Sequence, residues 1–74
     1  MHSIRVQAEW DEEAGVWYVA DSSLDGLVTE APTTEALMQK IAARACDLLG
    51  AEAVGNDVSV ELTARRSSVV HVAA

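Results

Sequence analysis

One stretch of this chain carries a helical period, and strand-like alternation lies on both sides of it. That arrangement limits the fold more than any other feature. Ile4, Val6, Ala8 and Trp10 alternate with Arg5, Gln7 and Glu9, which predicts a half-buried strand over residues 3–10. Residues 11–15 form a polar turn ending in Gly15, and residues 16–20 predict a second strand that completes a hairpin. In this second strand Val16, Tyr18 and Ala20 face one way and Trp17 and Val19 the other, and two apolar faces suit a strand that is central in the sheet or covered on its second side. A bend at Leu24-Asp25-Gly26 leads to a short third strand over 27–30, closed by Ala31-Pro32 because the residue before proline avoids the α region.

Thr33 is a suitable N-cap and Glu35 places a negative charge in the first helical turn. The helix is expected from Thr34 to Leu49. Leu37, Ile41, Ala45 and Leu48 form its apolar stripe, widened by Met38, Ala42 and Leu49, and Gly50 follows its end. A loop over 51–57 bends at Gly55-Asn56. Val58, Val60, Leu62 and Ala64 then alternate with polar residues as a further strand. Residues 68–72 read as a short fifth strand or an extended tail along an edge. The expected fold is α+β, in the order β-β-β-α-β, with one helix on a face of a small, mostly antiparallel sheet. Residues 1–74 are expected to be a single domain with no separate DNA-binding domain, because 74 residues allow one small core.

Charge is unevenly distributed. Residues 1–35 hold eight acids and one base, while 36–74 hold four of each, so the first half carries the net charge of −7. Such a surface repels a phosphate backbone and steers a basic protein toward itself. Acidity can also serve solubility alone. The candidate docking residues are Glu9, Asp11, Glu12, Glu13, Asp21, Asp25 and Glu30. Val58, Val60, Val70 and Val72 are candidates for self-association, since an open edge strand invites pairing.

Chemistry is harder to place. His2 and His71 sit at opposite ends, and no C-x-x-C, H-x-x-H or H-E-x-x-H spacing occurs, so no metal or other cofactor is expected. The lone Cys46 lies near a helix C-terminus, where the dipole disfavours a thiolate, and no histidine stands near it in sequence. Leu24-Asp25-Gly26-Leu27 has one glycine and no lysine after it, so it is no phosphate-binding loop. Arg65-Arg66 is the only basic pair, a poor nucleic-acid footprint. The chain is therefore read as a binding module rather than an enzyme. Its start resembles no signal peptide, and no apolar run approaches the about 18 residues of a membrane span, so a cytoplasmic location is expected.

Three runs carry a family resemblance. They are Ala8-Glu9-Trp10-Asp11-Glu12-Glu13-Ala14-Gly15-Val16-Trp17-Tyr18-Val19-Ala20, Leu24-Asp25-Gly26-Leu27-Val28-Thr29-Glu30-Ala31, and Thr33-Thr34-Glu35-Ala36-Leu37. Together they resemble the HicB-like antitoxin group, and more closely the short bacterial family DUF1902 within it, over residues 4–64. Asp25 stands where that group usually has proline, which loosens the bend without removing it. The resemblance implies a partial ribonuclease-H-like fold without ribonuclease activity. It also implies a partner: a small basic toxin of the HicA type, an mRNA interferase whose active site the antitoxin occludes. Many HicB proteins also carry a DNA-binding domain; none is expected here, and neither is direct nucleic-acid contact. The alternative is a homo-oligomeric structural or regulatory module with no toxin partner.

Overall fold

The computed structural model describes residues 2–74, with only the backbone described at His2, Glu52 and Ala53. The elements are β1 (His2–Asp11), β2 (Val16–Ser22), β3 (Glu30–Ala31), α1 (Thr34–Leu49), a 3-10 turn (Gly50–Ala53) and β4 (Val58–Arg65). They form one four-stranded sheet in the order β3-β2-β1-β4, so the fold is α+β in the β-β-β-α-β order expected from the sequence.

The hairpin turn is built by Asp11. Its carboxylate Oδ1 accepts from the backbone N–H of Glu13 at 3.1 Å and of Ala14 at 3.2 Å, and its carbonyl accepts from Gly15 N–H at 2.8 Å. Gly15 takes φ +68°, a conformation that a side chain would strain. β1 and β2 pair antiparallel, with Trp10 opposite Trp17 and Ala8 opposite Val19. The register then shifts: Gln7 faces Asp21, leaving Ala20 as the extra residue of a β-bulge.

β4 pairs with β1 in parallel, from His2↔Val58 to Glu9↔Arg65. The sheet is therefore mixed, with β3-β2 and β2-β1 antiparallel and β1-β4 parallel. A parallel neighbour needs a long crossover, and the segment containing β2, β3 and α1 supplies it. The expected third strand is reduced to Glu30–Ala31. Its predecessor Thr29 still accepts a hydrogen bond from Val19 N–H at 3.2 Å, but Leu27 turns into the core while Val28 points outward, 77% exposed.

Thr33 caps α1 as the sequence predicted, its hydroxyl accepting from Ala36 N–H at 3.1 Å. Gly50, at φ +59°, ends the helix and donates its N–H to the Cys46 carbonyl. The core is Ile4, Val6 and Ala8 from β1, Leu27 and Ala31 from the β2–α1 segment, and Leu37, Ile41 and Ala45 from α1. Leu49, rather than Leu48, completes the helix stripe, and Leu48 is exposed. Thr33→Ala is expected to lower stability by about 1 kcal/mol, because the Ala36 N–H loses its partner, with Thr33→Ser restoring most of it. Urea denaturation followed by circular dichroism measures both.

Of the two readings of residues 68–72, a short fifth strand or a tail along an edge, neither forms within the chain. Residues 66–74 form no regular element, and Val69, Val70 and Val72 are 101%, 76% and 82% exposed. The strand pattern there has no neighbour within the chain to pair with. The molecule measures 59 × 20 × 19 Å, whereas a ten-residue strand spans only ~33 Å. Its radius of gyration, 14.8 Å, likewise exceeds the ~11 Å of a compact chain this long. Residues 66–74 are thus an arm projecting from the end of β4.

Candidate protein-binding site

The hairpin tip, the outer side of β2 and the segment leading into β3 enclose an open depression of about 780 Å³. Asp11, Glu12 and Glu13 reach it from the tip, and Glu30 reaches it from β3, which lies antiparallel to β2 with Glu30 opposite Tyr18. Trp10, Tyr18 and Val28 supply apolar surface between these acids, and Tyr18 and Val28 are exposed. Lys40 on α1 lines the same depression and donates from Nζ to the Glu30 backbone carbonyl at 2.9 Å. An apolar centre with a charged rim is the general anatomy of a protein-binding surface.

The remaining acids lie elsewhere. Asp21 and Asp25 line a second depression toward the other end of β2, which shares Val19 and Val28 with the first. Glu9 lines neither. It is opposite Tyr18 on one side and Arg65 on the other, facing away from α1. The acidic surface is thus two adjoining groups separated by Val28, with Glu9 apart from both.

The acids also differ in what they do locally. Asp11 builds the turn, and Asp21 Oδ1 accepts from Ser22 N–H at 2.9 Å. Glu12 Oε2 accepts from the Trp10 indole N–H at 2.6 Å and pairs with Arg66 at 3.5 Å, across 54 positions of sequence. The Arg66 guanidinium also lies 4.3 Å from the Trp10 ring centroid. Among the described residues, the carboxylates of Glu9, Glu13, Asp25 and Glu30 have no hydrogen bond or ion pair, which leaves them available to a partner. Sequence reasoning missed the Trp10–Glu12–Arg66 cluster; only the ladder that sets Glu9 beside Arg65 brings it together.

The other candidates are placed as follows. Val58 and Val60 sit on the helix side of β4, half-buried, while Val70 and Val72 lie on the arm. Cys46 is an exposed free thiol, and His71 is exposed on the arm. Among the described residues no three His, Cys, Asp or Glu side chains converge as metal ligands. No helix among them is long and apolar enough to cross a membrane.

The chain is similar over 96% of its length, at 38% identity, to a hypothetical protein from the extremely thermophilic bacterium Thermus thermophilus. That protein's crystal structure is covered completely, with a TM-score of 0.63. No functionally curated protein matches. The family match spans residues 3–74 and bears the description "domain of unknown function". On the strength of that match, which takes in the sheet, the helix and the arm alike, the chain belongs to the DUF1902 family.

Proposed function

We propose that this chain is an antitoxin-like binding module that holds a small basic protein, of the mRNA interferase class, against the depression between the hairpin tip and β3. The observation that carries this reading is the grouping of Glu12, Glu13 and Glu30 around exposed Tyr18 and Val28. The aromatic and aliphatic centre would exclude water, and the rim acids would accelerate encounter and reject acidic competitors. Neutralisation would then be steric, with no bond made or broken by this chain. The likeness to HicB-like antitoxins read from residues 9–37 agrees with that role.

The test pairs the chain with a small basic interferase encoded beside it, measuring rescue of growth on co-expression and association at low salt. Wild-type protein is expected to rescue. Glu13→Gln with Glu30→Gln leaves the turn and the Trp10 cluster untouched and is expected to slow association on the order of tenfold, an effect that fades as salt rises. Failure of the wild-type chain to bind or rescue, or binding indifferent to both substitutions, would refute the assignment.

A further inference from the structure

β4 is the outer strand of the sheet, and its free edge runs the full eight residues of Val58–Arg65. An uncovered edge of that length ordinarily finds a partner strand. Directly after it comes an arm whose valines touch almost nothing. We propose that the arm pairs antiparallel with the free β4 edge of a second copy, and reciprocally, so that two copies exchange arms about a two-fold axis at Arg66. This goes beyond the docking of a basic protein, which uses the hairpin tip and the β3 edge rather than the β4 edge, and does not depend on it.

The register follows from the symmetry. An axis at Arg66 lays residues 67–74 of one copy along 58–65 of the other, matching the length of β4. Residues directly opposite in an antiparallel pair face the same side. Leu62 therefore meets the partner's Val70, and Val60 meets the partner's Val72, both on the helix side. There Val58, Val60 and Leu62 are only half-buried, and a groove of about 250 Å³ lies between β4 and the small side chains Ala42, Ala45 and Cys46. Val60 and Val58 line that groove, so the partner's Val72 and the partner's Ala74 come to lie over it, while the partner's Val70 covers Leu62 beyond its end. On the other face Glu61 meets the partner's His71, an imidazole N–H beside an otherwise unpaired carboxylate. A slip of two residues either way separates Glu61 from His71 and sets Ser68 against Leu62 or Ala74 against Val60. A slip of one turns the valines to the polar face.

The root of the arm favours exchange over folding back. Arg66 is held by Glu12 and by the Trp10 ring, on the β1 side of β4 and away from β4's own free edge. A reversal at Arg66-Ser67 would have to compete with both contacts. At the two-fold axis the same Glu12 pairing offsets the approach of two Arg66 side chains. The arm belongs to the family match, which runs through residue 74.

Sedimentation of the full chain over a wide concentration range is expected to show a dimer. Val70→Asp with Val72→Asp alters only exposed side chains and is expected to weaken that dimer by on the order of a hundredfold, with the helical circular dichroism of α1 retained. In a Cys46→Ala background, Glu61→Cys with His71→Cys is expected to give a covalent dimer on oxidation, visible on a non-reducing gel. A full chain that stays monomeric, a dimer indifferent to the two aspartates, or a cross-link that closes within one chain would each overturn arm exchange.

Discussion

Leu37→Ala is expected to cost about 3 kcal/mol of stability, the largest effect of any single truncation proposed for this chain. Leu37 is 0% exposed, at the first full turn of α1, and belongs to the one buried cluster that also holds Ile4, Val6, Ala8, Leu27 and Ala31. Among the described residues the core has eight buried side chains, three of them alanines, so few neighbours can relax into the space that Leu37 would leave. A domain of this length has a total stability of roughly 4–11 kcal/mol, so the loss removes a large share of it. Ile41→Val, also at 0% exposure, should cost only about 1 kcal/mol, since it deletes one methylene. Urea denaturation at fixed protein concentration tests the pair, the fixed concentration being needed because self-association would move the midpoint. A Leu37→Ala loss no greater than that of Ile41→Val would show that the helix is not anchored as described.

Trp10→Ala is expected to cost about 2 kcal/mol, although Trp10 is only half-buried, because three contacts depend on its ring. It meets Trp17 edge-on with centroids 5.4 Å apart, donates its indole N–H to Glu12, and lies beneath the Arg66 guanidinium. The Arg66–Glu12 ion pair alone contributes little, since its side chains are 50% and 81% exposed and screened by water. The value of Arg66 should therefore reside mainly in Trp10. Arg66→Ala is expected to cost about 0.5–1 kcal/mol in the wild-type background and close to nothing once Trp10 is alanine. Additive losses in that double-mutant cycle would contradict the coupling.

Most of this architecture is legible in residue periodicity. The alternation in β1 and β4, the stripe on α1 as far as Ala45 and the Thr33 cap fold as they read, because each is a local pattern with one physical solution. Strand direction is not local. Nothing in residues 58–65 distinguishes a parallel from an antiparallel neighbour, and only the crossover through α1 decides it. The bulge at Ala20 is silent because alanine suits either face of a strand. The acidic residues show the same division. Asp21, Asp25 and Glu30 look like one group in sequence, yet the bend at Gly26 (φ +84°) and the antiparallel return of β3 carry Glu30 back beside the hairpin tip and leave the other two behind. The arm reads as a strand because its residues suit one, and it stays open because a strand needs a neighbour that this chain does not provide.

The parallel ladder between β1 and β4 also bears on how the chain acquires its shape. Its partners are drawn from the two ends of the domain, so this ladder closes the longest loop in the sheet and carries its largest loop-closure entropy. The β1–β2 hairpin and α1 can form from neighbouring residues well before it. In that interval β1, later the interior strand that carries Ile4, Val6 and Ala8, is itself an unprotected margin, and that is when aggregation competes most strongly with the native state.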